Sequence, residues 1–257
     1  MNRIFFLFLT VALIASCESK SEHKPLVGSV DNIIPQPQKV NVTEGVTGFF
    51  TDGKIVVSGF DNLGESKSVV ENWLVSAGIK LEYSNLPGAS LSLHIDEGIE
   101  GEESYSIAIA DDQIQISSAS PEGLFRGWTT LRLMIPATGE TGGLSSGFFL
   151  PKVHIEDYAK FEHRGLLLDC CRHFMEPDFV KKMIDNLSLH KMNVLHWHLT
   201  EDQGWRVEID SYPKLTEIGA WCTKLDGSIH GGFYTKETIK EIIEYAAKRH
   251  VEIIPEI

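Results

Sequence analysis

Three apolar runs of strand length, separated by helical patterns, constrain the fold of this chain more than any other feature. They lie at residues 165–169, 193–199 and 251–255. Pro177, which suits the first turn of a helix, follows the first run, and Thr235, a suitable N-cap, precedes the third. Apolar strands that alternate with helices are typical of a parallel sheet. The sequence therefore predicts an α/β unit in its second half.

Polar residues stand at the carboxyl end of each predicted strand. Asp169 ends the first strand, Glu201 and Asp202 follow the second, and Glu256 follows the third. A (β/α)8 barrel carries its active site at this end of its strands. We therefore expect residues 156–257 to form the first three strand–helix units of an incomplete (β/α)8 TIM barrel, with an active site at these ends.

The barrel pattern stops at its third strand. A complete barrel needs about 250 residues, and an open three-stranded parallel sheet would leave its edges unpaired. We therefore expect the chain to be the N-terminal portion of a longer protein. The alternative is a complete small α/β domain.

Residues 32–155 follow a different pattern, with short strands and two helices. Residues 91–95 and 105–109 alternate apolar and polar side chains, as half-buried strands do. Helical spacing is present at residues 65–77 and again from Pro121 onward. We expect a small α+β domain whose antiparallel or mixed sheet carries its helices on one side.

The first 16 residues predict a targeting signal rather than part of the fold. Arg3 precedes an apolar run that is too short to span a bilayer as a helix, and the run ends in small residues before Cys17. This arrangement is typical of a bacterial lipoprotein signal peptide at residues 1–16. The alternative is an ordinary secretory signal with an incidental cysteine. We expect a polar tether at residues 17–31 and an exported protein, lipid-anchored to the cell envelope through Cys17.

The composition excludes some partners. Lys and Arg number 23 against 36 Asp and Glu, so the net charge is −13. Nucleic-acid binding needs clustered cations, and we therefore expect no nucleic-acid partner. Three cysteines remain besides Cys17, an odd number that does not indicate a disulfide framework. They are Cys170, Cys171 and Cys222. We interpret the adjacent Cys170 and Cys171 as small buried apolar residues, with redox or metal roles as the alternative.

Two histidines share one face of the second barrel strand. His196 and His198 are two residues apart, and side chains of a strand alternate between its faces. The same spacing occurs in metal pairs of barrel hydrolases. A metal-dependent barrel hydrolase, a supporting role in the site, and a core position are therefore all open.

Four motifs occur in order along the second half of the chain. They are HRGLLLD at 163–169 with RHF at 172–174, KMNVLHWHL with its continuation TEDQGWR at 191–206, GGFYT at 231–235, and VEIIPEI at 251–257. Two segments of the first half, IPQP at 34–37 and PEGLFRG at 121–127, fit the same pattern. Together they resemble glycoside hydrolase family 20, the β-N-acetylhexosaminidases, over essentially all of the mature chain.

The resemblance implies a retaining exo-hydrolase of terminal β-linked N-acetylglucosamine or N-acetylgalactosamine in oligosaccharides or glycoconjugates. In the family the substrate's own acetamido oxygen attacks the anomeric carbon, which is an exception to the two-carboxylate scheme. The resemblance implies no cofactor and no metal. The alternative function is a non-catalytic, truncated lipoprotein or a glycan-binding remnant.

The family's catalytic Asp-Glu pair is expected beyond residue 257, so we expect this chain alone to be inactive. The pair that the chain does contain, Asp96-Glu97, follows a strand of the small domain. We interpret it as a solvated turn.

The resemblance also implies roles at the strand ends. Arg172 matches the arginine that holds the 3- and 4-hydroxyls of the terminal sugar, a task suited to a rigid fork of donors; a salt bridge to a neighbouring carboxylate is the alternative. Glu201 matches an acidic residue that supports the acid/base, and Asp202 shares that role or caps the loop. Asp169 and His198 are further candidates for substrate binding, with a structural hydrogen bond equally open for Asp169.

Two tryptophans and one arginine complete the candidates. Trp205 and Trp221 offer aromatic faces on which a sugar could stack, or they pack under the long loop. Arg164 precedes the first barrel strand, at the end opposite the expected site. We therefore interpret Arg164 as structural.

Overall fold

The computed structural model describes residues 26–49 and 54–257. The predicted signal peptide, Cys17 and most of the predicted tether lie outside the described residues. Within the described ranges, every helix is too short or too polar to cross a bilayer.

Seven described strands form the sheet of the first half. They are β1 (Lys39–Phe49), β2 (Lys54–Ser58), β3 (Lys80–Tyr83), β4 (Leu91–Ile95), β5 (Tyr105–Ala110), β6 (Gln113–Ser118) and β7 (Phe148–Asp157), with helices α1 (Lys67–Ser76) and α2 (Pro121–Met134) between them. The spatial order is β1-β7-β5-β6-β4-β2-β3. Neighbours from β1 to β6 are antiparallel and those from β6 to β3 are parallel. The sheet is therefore mixed, one of the two arrangements that the sequence left open.

Helix α2 supplies much of the core of this half. Ser120 caps the helix by accepting a hydrogen bond from the backbone of its first turn, and Pro121 occupies that turn. Leu124 and Trp128 are buried on the side that faces the sheet, where they join buried strand residues such as Ile116. Three short 3-10 segments connect the elements, at Val30–Asn32, Phe60–Ser66 and Ala137–Thr141.

The second half builds three parallel strands around a long excursion. In chain order the elements are β8 (Gly165–Asp169), α3 (Pro177–Leu189), β9 (Val194–His198), β10 (Thr200–Glu201), β11 (Gly204–Trp205), α4 (Lys214–Glu217), β12 (Trp221–Thr223), β13 (Ile229–Gly231), α5 (Lys236–Ala247) and β14 (Glu252–Glu256). Strands β14, β9 and β8 form one parallel sheet in that order. The short strands β10–β11 and β12–β13 form two hairpins.

The two faces of this parallel sheet differ. Leu195 and Trp197 are buried in a cluster with residues of α3 and α5. The opposite face carries Leu167, His196 and Ile254 in one row, and each of these side chains is partly or largely exposed. One face of the sheet is thus covered by helices, as expected for the first units of a barrel.

One detail of the third strand differs from the sequence prediction. Strand β14 includes Glu256, which was expected to follow the strand. In α5, Ile242 is buried and its neighbour Ile243 is 48% exposed. Asp169, at the end of β8, is partly buried.

A buried ionic cluster joins the two halves, and we call it the interdomain network. Lys191 Nζ lies 2.8 Å from Asp157 Oδ2 and 2.7 Å from the hydroxyl of Tyr105, which itself donates to Asp157 at 2.6 Å. Thr130 completes the group through a 2.5 Å contact with Tyr105. Burial lowers the pKa of Lys191 and raises that of Tyr105.

A second group of charges adjoins this network. Glu103 pairs with Arg126, at 3.0 Å, and with Arg164. The guanidinium of Arg126 also donates to the backbone carbonyl of His250 at 2.9 Å. Arg164 further binds the backbone carbonyls of Lys191 and of residues before β8. These contacts support the structural interpretation of Arg164.

Candidate active site

The register of the parallel sheet brings three polar side chains into one row. Asp169, His198 and Glu256 are direct neighbours across β8, β9 and β14, at the carboxyl ends of the strands. Side chains alternate along a strand, so this row lies on the same face as His196, away from the helices. The sequence placed Asp169 and His198 here as candidates, whereas Glu256 was not among the candidate site residues.

Arg172 lies just beyond β8 and gathers three acceptors around its guanidinium. Its Nη1 lies 2.9 Å from Asp169 Oδ2, its Nη2 lies 3.0 Å from Glu201 Oε1, and its Nε donates to Gln203 Oε1 at 3.1 Å. We call these four residues the Arg172 network. The side chain of Arg172 is still 48% exposed. The geometry is compatible with both interpretations of Arg172, a salt bridge and a sugar-binding role, because the salt bridges leave the guanidinium accessible.

Hydrogen bonding fixes the charge states within the Arg172 network. Burial pushes the pKa of Asp169 upward, but hydrogen bonds from Arg172 and from the backbone of Cys171 outweigh it and hold the pKa below its ordinary value. The side-chain hydrogen bond to Asp169, with the nearby Glu201 charge, raises the pKa of Arg172. The site therefore presents a fixed cation, Arg172, beside the ionised carboxylate of Asp169.

A tight hairpin positions the second carboxylate. Glu201 pairs with Gly204 across β10 and β11, with Asp202 and Gln203 in the connecting turn. This turn directs Gln203 to Arg172, while Asp202 is exposed and is not a member of the Arg172 network. The sequence grouped Asp202 with Glu201; the structure brings only Glu201 to the arginine.

Arg206 holds the long excursion against the end of β8, and sequence reasoning did not single it out. Its guanidinium is 1% exposed and has backbone carbonyls as its hydrogen-bond acceptors. It donates to Cys170 at 2.9 Å, to Cys171 at 2.6 Å, to Ala220 at 2.5 Å and to Gly232 at 3.0 Å. The sequence feature that could have indicated a role for Arg206 is its place at the end of the motif TEDQGWR. A side chain on Gly204 would meet this guanidinium at 2.3 Å, which explains the glycine.

The two histidines of β9 converge on Glu256. His196 Nε2 lies 2.8 Å and His198 Nδ1 lies 2.9 Å from Glu256 Oε2. His198 also approaches Glu201 through Nε2, at 3.4 Å. Despite its short distance to Glu256, the buried Nδ1 of His198 makes no aligned hydrogen bond. Hence His198 lies between two carboxylates, and Glu201 joins it to the Arg172 network.

The remaining candidates lie nearby or in the other half. Trp205 Nε1 donates to the backbone of Val207 at 2.7 Å, and Trp221 is 46% exposed with its Nε1 on the backbone of Thr216. Asp96 lies in an exposed turn of the first half, where it accepts a hydrogen bond from the backbone of Gly98. That contact supports the reading of Asp96-Glu97 as a solvated turn.

Cysteines add an unexpected donor to the site. Cys170 and Cys171 are both buried and unpaired, and Cys222 is exposed. The ligand atoms of Asp169, Cys171 and His198 lie within 4.8 Å of one another. These three residues, and not the pair His196–His198, form the described group with metal-ligand geometry.

Two family models match successive parts of the chain. "Glycosyl hydrolase family 20, domain 2" matches residues 31–158, and "Glycosyl hydrolase family 20, catalytic domain" matches residues 161–257. The chain is 37% identical over 233 residues to a beta-hexosaminidase of Porphyromonas gingivalis and 32% identical over 233 residues to a beta-N-acetylhexosaminidase of Cellulomonas fimi. Each alignment covers 88% of this chain, but only 30% and 45% of those relatives.

Solved structures give the same picture. The fold superposes on a family 20 exo-beta-N-acetylglucosaminidase from Vibrio harveyi in complex with N-acetylglucosamine, with a TM-score of 0.78 and 30% identity. It superposes on an N-acetyl-beta-hexosaminidase from Streptomyces plicatus in complex with Thio-NAglucal with a TM-score of 0.79 and 33% identity. Each match covers 91% of this chain, and 37% and 47% of those chains respectively.

Proposed function

The chain belongs to glycosyl hydrolase family 20, and on that premise we propose that it supplies the small domain and the first three strand–helix units of a β-N-acetylhexosaminidase. The substrates of the proposed enzyme are glycans that end in β-linked N-acetylglucosamine or N-acetylgalactosamine. The observation that carries the proposal is the Arg172 network at the carboxyl ends of β8 and β9, the end at which barrel enzymes work.

Arg172 is the proposed anchor of the terminal sugar. A guanidinium has five N–H donors, and three nitrogen–acceptor contacts within the network hold it in place. Its exposed edge is then free to donate to two neighbouring hydroxyls of one sugar ring. The carboxylates of Asp169 and Glu201 lie beside it and can accept the hydroxyl protons of the same ring.

The proposed reaction is substrate-assisted and retains the anomeric configuration. The substrate's acetamido oxygen attacks the anomeric carbon, and a general acid protonates the departing oxygen. The residues described here bind and orient the sugar in this scheme. Glu201, which lies 3.4 Å from His198 Nε2, supports the acid/base in this scheme. Because the described strand ends carry no adjacent Asp-Glu pair, we propose that residues 1–257 alone do not turn over substrate.

Turnover by the full-length gene product that contains this chain tests the proposal. A chromogenic β-N-acetylglucosaminide should be hydrolysed, and the first-formed sugar should keep the β configuration. The variant Arg172→Gln should lower kcat/KM by about 10- to 100-fold, the range for lost hydrogen bonds to a charged group. Arg132→Gln is the matched control, because Arg132 pairs with Glu140 in the small domain.

Three outcomes would contradict the proposed function. They are absence of sugar release, an inverted product, and equal kcat/KM for Arg172→Gln and the control.

We further propose that Cys17 carries a lipid and that the protein is anchored to the cell envelope. The proposal rests on the small residues before Cys17 and the polar stretch after it. Metabolic labelling with a fatty-acid analogue should mark the wild type but not Cys17→Ala. A labelled Cys17→Ala variant, or an unlabelled wild type in the membrane fraction, would count against lipidation at this residue.

A further inference from the structure

Cys171 lies beneath the Arg172 network, where the proposed reaction has no use for a thiol. Its side chain is fully buried, and Sγ points across to the neighbouring strand, where it lies 3.2 Å from the backbone carbonyl of His198. Its backbone N–H donates to Asp169 Oδ1 at 2.9 Å. The turn after β8 therefore places the Cys171 thiol and the Asp169 carboxylate beside β9, where a ring nitrogen of His198 lies within 4.8 Å of both.

These donors match the preference of one class of cation. A thiolate, an imidazole and a carboxylate are the ligands that Zn²⁺ takes, with four ligands in a tetrahedron. The ligand atoms of Asp169, Cys171 and His198 lie within 4.8 Å of one another, which allows one ion to reach all three after small shifts.

A second observation points to a ligand here. His198 is 6% exposed, and its Nδ1 is buried without an aligned hydrogen bond. Buried polar atoms without an aligned partner are uncommon, and a bound cation is one group that can use such a nitrogen. The site's side chains include three carboxylates but one guanidinium: Asp169 and Glu201 pair with Arg172, and Glu256 lies against His196 and His198. That surplus of negative charge favours a divalent cation.

We propose that Asp169, Cys171 and His198 bind a thiophilic divalent cation of the zinc class, and that this cation competes with the sugar. The competition rests on the proposed function, whereas the binding does not. On binding, the thiol of Cys171 loses its proton to solvent and its sulfur forms the bond to the metal. Nothing is oxidised or reduced.

The free thiol is fully buried and lies 3.2 Å from a backbone carbonyl, so a metal has to displace its proton. Binding therefore strengthens as the pH rises. Binding also draws Asp169 away from Arg172 Nη1, its partner at 2.9 Å, and so releases the proposed sugar anchor.

Cadmium titration of the folded chain tests the site directly. The background carries Cys17→Ser and Cys222→Ser, which leaves only the two buried cysteines. One equivalent of Cd²⁺ should produce a thiolate-to-metal charge-transfer band. Adding Cys171→Ser should abolish the band, and adding His198→Asn should weaken binding by at least about 10-fold, the lower end for perturbing even an outer-shell partner.

Cys170→Ser is the matched control for Cys171→Ser. Cys170 is equally buried and adjacent in sequence, but its Sγ accepts a hydrogen bond from Trp197 at 3.3 Å. The band should survive this change. A band that persists in Cys171→Ser, or one that is lost equally in a folded Cys170→Ser variant, would overturn the proposal. Near-ultraviolet circular dichroism of each variant checks the fold.

X-ray absorption of the zinc-loaded background gives a test that needs no further variant. One sulfur at about 2.3 Å with nitrogen and oxygen ligands is expected, and a shell without sulfur would refute the site. In the full-length gene product, zinc should raise KM; zinc binding with unchanged KM would refute the competition. Absence of turnover without zinc would count against the proposed function alone.

Discussion

Strand β8 has an arginine at each end, and the two arginines differ in their surroundings. Arg164 and the interdomain network beside it are largely buried, and each charge there meets a fixed partner or a backbone carbonyl. Arg172 forms two ion pairs, with Asp169 and Glu201, but is half exposed. Ion pairing alone therefore does not separate a structural cluster from a candidate site. Burial separates the two, because buried charges stabilise the fold only while they stay paired, whereas exposed charges remain free to bind a ligand.

The largest expected effect is at the buried end. Lys191→Met leaves the Asp157 carboxylate buried without its cation, and the free energy of unfolding should fall by about 3–5 kcal/mol. Urea denaturation of the chain measures it. Lys39→Met is the control, because Lys39 pairs with the neighbouring Glu156 on the exposed surface, and it should leave the midpoint unchanged. Equal losses of stability in Lys191→Met and Lys39→Met would contradict the distinction between buried and exposed ion pairs.

A smaller effect should appear with pH at the same interface. Burial and the nearby Arg126 lower the pKa of His250 to about 4 from an ordinary value of 6.5. Between about pH 4 and pH 6.5, the unfolded chain therefore binds a proton at His250 that the folded chain does not. Stability from this residue is complete above pH 6.5 and falls by up to about 3 kcal/mol as the pH drops toward 4.

Comparison of variants isolates this contribution from other titrating groups. Unfolding by urea at several pH values should show a weaker acid sensitivity for His250→Gln than for the wild type. His94→Gln, at an exposed position of β4, should behave like the wild type. If the free energy of unfolding fell with pH equally in His250→Gln and the wild type, the assignment of this acid sensitivity to His250 would be refuted.

The smallest effect on stability is expected at the exposed end. Arg172→Gln should leave the urea midpoint of the chain unchanged, since its ion pairs are accessible to water. The same substitution is the one expected to impair turnover in the full-length gene product. A marked loss of stability in Arg172→Gln would place Arg172 with the structural cluster and weaken its role as a sugar anchor.

Local patterns in the sequence predicted the elements of the fold well. Strand β8 has the predicted bounds, helix α2 begins at Pro121, and Thr235 caps α5 by accepting a hydrogen bond from the backbone of Thr238. The turn at Asp111–Asp112 joins β5 to β6 with positive φ values at both residues. These features depend on neighbours within a few positions, which a sequence displays directly.

The sequence did not reveal features that depend on distant partners. Arg206 reads as a surface charge, yet it is buried because carbonyls from four separate residues surround it. Lys191 and Asp157 are 34 residues apart; Asp157 ends β7, and Lys191 lies in the turn between α3 and β9. Asp202 was grouped with Glu201, but the hairpin turn between them decides which side chain reaches Arg172. The candidates Asp169, Glu201 and His198 do converge on one site.

The pairing of β1 with β7 sets an order for folding on the ribosome. Lys39 and Glu156, partners in that pairing, are separated by 117 positions in the chain. At a synthesis rate of about 5–20 residues per second, β7 is completed roughly 6 to 25 seconds after β1. Strand β8 emerges only after β7. The first strand of the barrel is therefore synthesised after all seven described strands of the first sheet. Lys191 follows α3 in the chain, so it can pair with Asp157 only after that sheet has been synthesised.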